Sequence, residues 1–147
     1  MINTIKKLRD QTGLSVADIK NALEEAGGDE AKALEILNSS GHKIAEKKTS
    51  REAKEGVVES YIHNNKKIGA IVVLHCETDF VAKSRDFKEL AHDLAMQIAS
   101  MDPKDVDELM MQPFIRDQEL TVKELINKYI AKLGENIKVG DFKVYEI

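Results

Sequence analysis

A single cysteine, Cys76, occurs in the 147 residues, so no internal disulfide can staple the chain and a reducing cytoplasm is its expected setting. Tryptophan is absent and aromatic residues make up only 5% of the chain, so the core it forms must be aliphatic. No apolar run approaches the roughly 18–20 residues of a membrane span, which argues against a membrane partner. The opening Met1-Ile2-Asn3-Thr4-Ile5-Lys6-Lys7 lacks the long apolar region and cleavage site of a secretory signal. An excess of basic residues is missing too. Lys and Arg number 22 against 26 Asp and Glu, a formal charge of −4, which argues against direct binding along a nucleic-acid backbone.

Conventional catalytic and cofactor signatures are also missing. The sequence contains no phosphate-binding G-x-x-x-x-G-K-[ST], no G-x-G-x-x-G, no G-x-S-x-G and no H-E-x-x-H. One cysteine and four scattered histidines (His42, His63, His75, His92) provide no metal-ligand spacing, so neither a metal nor a cofactor is expected. His75-Cys76 is the one thiol–imidazole neighbour pair. On a strand, adjacent side chains point to opposite faces, so the two cannot act together, and Cys76 reads as a small buried apolar residue.

What is present falls into two patterns. The first forty residues carry helical stripes: Ile2, Ile5 and Leu8; then Val16, Ile19 and Leu23; then Ala33, Leu34 and Leu37. Ser15 and Asp29 are suited to cap the second and third helices, Gly27-Gly28 separates them, and Gly41 reads as the exit. Residues 1–42 are therefore expected to form a three-helix bundle. Residues 43–55 lose apolar periodicity, alternate Lys and Arg with Glu, and read as a charged, solvated linker with room for partial helix.

Residues 56–147 read as an α+β domain. Apolar alternation from Val57 to Ile62, a polar turn at Asn64-Asn65-Lys66-Lys67 and an apolar run from Ile68 to Cys76 predict a hairpin whose second strand is central. A last strand spans Ile137 to Glu146, with a change of phase at Gly140-Asp141 that a β-bulge would accommodate. Three antiparallel strands follow, their pairing order left open. Between them lie a helix capped by Ser84 and striped from Phe87 to Met101, a short turn over Asp105–Met111, a loop through Gln112-Pro113-Phe114, and a helix opened by a Thr121/Glu124 capping box and closed by Gly134.

One junction stands out. Between the central strand and the helix at Ser84, the chain places a carboxylate, Asp79, beside a large apolar ring, Phe80. Spacing leaves two readings open. Phe80 tucks under the sheet edge while Asp79 accepts a backbone hydrogen bond, or the pair projects toward another molecule.

Three stretches carry a family resemblance. Leu8-Arg9-Asp10-Gln11-Thr12-Gly13, with Asp18-Ile19-Lys20-Asn21-Ala22-Leu23 and Glu25-Ala26-Gly27-Gly28-Asp29, resembles the N-terminal module of the bacterial elongation factor Ts family, itself similar to the ubiquitin-associated three-helix fold. Glu77-Thr78-Asp79-Phe80-Val81-Ala82-Lys83 resembles the family's T-D-F-V-A motif. The closing run from Gln112-Pro113-Phe114 to Gly134-Glu135-Asn136-Ile137 resembles its C-terminal segment.

The resemblance implies a guanine nucleotide exchange factor for elongation factor Tu, the GTPase that carries aminoacyl-tRNA to the ribosome, with no bond-making chemistry of its own. It implies that Thr78, Asp79, Phe80 and Val81 disturb the partner's Mg2+ site. It assigns Arg9 and Lys20 to charged contacts and Val16 and Ala17 to an apolar loop contact, although Val16 also suits the bundle's own core. Longer family members carry two related halves in the core. A chain with one half is therefore expected to pair with a second copy through the uncovered face of its sheet. The alternative reading is a non-catalytic protein-binding module, a ubiquitin-associated-like bundle attached to an unrelated scaffold.

Overall fold

A computed structural model describes residues 2–147. Three helices open it: α1 (Ile2–Thr12), α2 (Val16–Glu25) and α3 (Glu30–Lys48). Ser15 and Asp29 cap α2 and α3 as the sequence predicts, accepting the N–H groups of Asp18 and Lys32 at 3.1 Å. Leu8, Leu14, Ile19, Leu23, Ala33 and Leu37 close into one apolar cluster between the three helices.

One expectation fails on α3. Gly41 is not an exit, because the helix continues unbroken to Lys48 and takes in the first part of the charged stretch. The reason is tertiary. Ala33, Leu37, Gly41 and Ala45 form one buried row along α3, and a Cβ on Gly41 would lie 3.4 Å from the Cβ of Ala131 in a helix of the second domain. A methyl group would just fit there, so the packing of this row against that helix, and not the glycine, decides that α3 runs through. The bundle is thereby packed against the rest of the protein.

The sheet contains β1 (Glu55–Ile62), β2 (Ile68–Cys76) and, from the far end of the chain, β5 (Lys138–Glu146). Its order is β1-β2-β5, antiparallel throughout, with β2 central as expected. The predicted bulge is present. Val72 pairs with Phe142 and Leu74 with Val139, so Gly140-Asp141 together face Val73.

β2 leads through a single helical turn, α4 (Asp79–Ala82), into α5 (Arg85–Met101). Along α5, Phe87, Leu90, Ala91, Leu94, Ala95 and Ile98 are buried in one cluster with Ala70, Val72, Leu74 and Cys76 of β2. Met101, expected to end this stripe, is exposed. Asp105 caps α6 (Val106–Met111), accepting the N–H of Glu108 at 2.8 Å.

The expected loop at Gln112–Phe114 is a small ribbon instead, β3 (Pro113–Phe114) paired with β4 (Asp117–Thr121). Buried Gln97 of α5 holds it, donating to the carbonyl of Pro113 at 3.0 Å and accepting from the N–H of Ile115 at 2.9 Å. A side chain from a distant helix supplies this organisation, so the local sequence does not reveal it. The Thr121/Glu124 capping box opens α7 (Val122–Leu133), which ends at Gly134 in the left-handed conformation (φ 77°). The molecule is α+β: a helical bundle, then helices on one face of a three-stranded antiparallel sheet.

Candidate partner-binding site

The inner face of β2 ends at Cys76, and the chain must leave the sheet there. Thr78 turns it, with its hydroxyl oxygen accepting the N–H of Val81 at 3.3 Å as the cap of α4. Successive side chains on a helical turn stand about 100° apart, so one pair of neighbours can face the core while the other pair faces solvent. Val81 and Ala82 are buried with Phe87 and Leu90, whereas Phe80 is 83% exposed. Asp79 is exposed as well, and its carboxylate stands 3.6 Å from the ammonium of Lys83 one turn on. Phe80 does not tuck under the sheet edge. The ring and the Asp79 carboxylate both stand in solvent on a turn whose other two residues are buried.

The turn is held from the other end of the chain. Glu135, just past α7, accepts the N–H groups of Glu77 and Thr78, both at 3.0 Å, on one carboxylate oxygen. The other oxygen accepts the Thr78 hydroxyl at 2.6 Å. In return, Glu77 accepts the N–H of Asn136 at 2.6 Å. Asn136, buried, donates its side-chain amide to the carbonyl of Arg51 at 2.7 Å. Sequence reasoning did not single out Glu77, Glu135 or Asn136 as a group. The residues lie far apart in the chain, and only their membership of two separate motif stretches hinted at a connection.

Cys76 sits directly beneath this clasp. Its thiol donates to the carbonyl of Thr78 at 3.2 Å and touches no imidazole. Burial, with the Glu135 carboxylate adding to it, pushes the thiol up to about 11. It remains a protonated, unreactive group at neutral pH. His63 is occupied elsewhere, 3.0 Å from the hydroxyl of Tyr61. Among the described residues no group of three or more His, Cys, Asp or Glu side chains comes together to hold a metal ion. No helix among them is long and apolar enough to cross a membrane.

The four positions expected in the helical bundle are all exposed: Arg9 on α1, and Val16, Ala17 and Lys20 on α2. Val16, which suited the bundle core on spacing alone, is 37% exposed at the start of its helix. Lys20 also borders a groove lined by Ile5, Leu23, Glu24 and Gly27-Gly28.

The family model described as Elongation factor TS matches residues 77–147, a span that begins at the clasp and takes in all of β5. Elongation factor Ts of Thermotoga petrophila is 41% identical over 189 aligned positions, covering 99% of this chain and 95% of the relative. The Thermotoga maritima protein gives the same identity and coverage. That of Carboxydothermus hydrogenoformans is 39% identical, covering 97% of this chain and 87% of its own length. An alignment of 189 positions exceeds the 147 residues of this chain, so parts of the relatives have no counterpart here. With near-complete coverage at this identity, the chain belongs to the elongation factor Ts family, the translation elongation factors of protein synthesis.

Proposed function

We propose that the protein is a guanine nucleotide exchange factor for elongation factor Tu, and that the α4 turn is the part that acts on the nucleotide site. The observation that carries this reading is the pairing of an exposed Phe80 and Asp79 with a rigid base formed by Val81, Ala82 and the Glu135 clasp. Phe80 and Asp79 insert beside the bound nucleotide and displace the groups that hold Mg2+, while Thr78 and Val81 shape and seat the turn. Arg9, Val16, Ala17 and Lys20 dock the helical bundle on the same GTPase.

The physics is differential binding. An inserted ring that fits only the open, metal-free site raises the free energy of the nucleotide complex relative to the factor complex. Nucleotide must then weaken the factor's binding as much as the factor weakens the nucleotide's. A coupling of about 4 kcal/mol corresponds to roughly a thousandfold change in nucleotide affinity. Full burial of Phe80 contributes about 1.5–3 kcal/mol of this. The protein itself makes and breaks no bond, requires no cofactor and acts in the cytoplasm without direct contact with nucleic acid or membrane.

A second copy covers the outer face of the sheet. Val58, Ile62, Ile71 and Tyr145 lie exposed there, across from the face that packs on α5. This apolar surface suits a symmetric dimer. Sedimentation equilibrium is expected to give twice the 16.5 kDa chain mass. A fully active monomer would contradict the pairing.

Stopped-flow release of fluorescent GDP from purified elongation factor Tu tests the exchange reading. Release is expected to accelerate in millimolar Mg2+, and the acceleration to shrink when the metal has already been chelated. Unchanged release at saturating protein would overturn the assignment in favour of a binding module without effect on nucleotide.

A further inference from the structure

A four-residue helical turn does not hold itself, because one turn fixes several backbone angles for very few hydrogen bonds. α4 therefore depends on its surroundings. Two supports are local: the burial of Val81 and Ala82, and the Thr78 cap. The third comes from 57 residues further along the chain. Glu135 accepts a hydrogen bond from the Thr78 hydroxyl at 2.6 Å, and the same hydroxyl oxygen accepts the N–H of Val81. A hydroxyl has one proton and two lone pairs, so committing its proton to a carboxylate fixes the direction of the lone pair that caps the turn. Both partners of the short contact are oriented further. Glu135 also grips two backbone N–H groups, and the adjacent Asn136 N–H is gripped by Glu77. The Asp79 carboxylate is met by the exposed Lys83 ammonium and the Phe80 ring stands in solvent, so the direction of both is inherited from this base.

We propose that Glu135 is a positioning residue for exchange, holding α4 in its projecting conformation before the partner arrives. The inference rests on the reading of α4 as the inserting element. A turn ordered in advance spares the complex the loss of freedom that would otherwise accompany insertion. A carboxylate suits the task because charge-assisted hydrogen bonds are shorter and stronger than neutral ones.

The test is fluorescent GDP release from elongation factor Tu with the full chain carrying Glu135→Gln, Phe80→Ala, or both. Glu135→Gln keeps the size of the side chain and removes its charge. It is expected to lower the maximal release rate about tenfold, the range of one hydrogen bond to a charged group. In the Phe80→Ala background the same change is expected to have a clearly smaller effect, since only Asp79 is then left for the turn to position. An equal loss in both backgrounds would mark a general structural role and overturn the proposal.

Thr78 provides an independent arm should Glu135→Gln fold poorly by circular dichroism. Thr78→Val is expected to lower the rate about tenfold, and Thr78→Ser, which restores the hydroxyl, to recover most of that loss. Wild-type rates in both Glu135→Gln and Thr78→Val would overturn the role of Glu135 and leave the exchange reading standing. No acceleration by the wild-type protein would overturn both.

Discussion

Phe80 and Val81 are joined by one peptide bond yet lie at opposite extremes of burial, 83% and 6% exposed. The α4 turn sends one side chain into solvent and the other into the cluster that contains Phe87 and Leu90. Their substitutions therefore separate. Val81→Ala removes buried methyl groups and is expected to lower unfolding free energy by about 1–3 kcal/mol. Phe80→Ala is expected to stay within about 0.5 kcal/mol of wild type. Urea unfolding of the two variants checks both numbers.

The close approach of α3 and α7 makes a prediction with two signs. Gly41 lies inside α3, with room for a methyl group at ordinary contact distance from Ala131. Gly41→Ala is expected to stabilise the protein by about 0.5–1 kcal/mol through helix propensity. Gly41→Leu is expected to destabilise it by about 1–3 kcal/mol by forcing the helices apart. Thermal unfolding distinguishes the two outcomes.

The buried thiol makes stability fall in alkali. Folding raises the pKa of Cys76 from 9.0 to about 11, chiefly by burial and then through Glu135. Below pH 9 both states keep the proton. Between pH 9 and 11 the unfolded chain releases it first, so the unfolded state binds fewer protons and stability declines as pH rises. Denaturant titrations at pH 8 and pH 10.5 are expected to show a larger loss for wild type than for Cys76→Ala. Native Cys76 is also expected to react slowly with thiol reagents at pH 8.

Local chemistry was the legible part of this molecule. Caps at Ser15, Asp29, Ser84 and Thr121, the hairpin, the central position of β2 and the bulge at Gly140-Asp141 all follow from residues within a few positions of one another. Long-range packing was not legible. Gly41 carries the mark of a helix stop, and only Ala131, ninety positions on, explains why the helix passes through it. The ribbon at Pro113–Phe114 depends on Gln97 in the same way. Spacing singled out Asp79 and Phe80 without deciding which way they point. The base that directs them, Glu135 on Thr78, joins two motif stretches whose contact no local pattern records.

The central claim is that the exposed ring on α4 drives nucleotide release. It is tested most directly by the maximal rate of fluorescent GDP release from elongation factor Tu, compared between the wild-type protein and a folded Phe80→Ala variant. Loss of the inserting ring is expected to slow release by at least about tenfold, the factor that corresponds to 1.4 kcal/mol. An identical maximal rate for the two proteins would contradict the account.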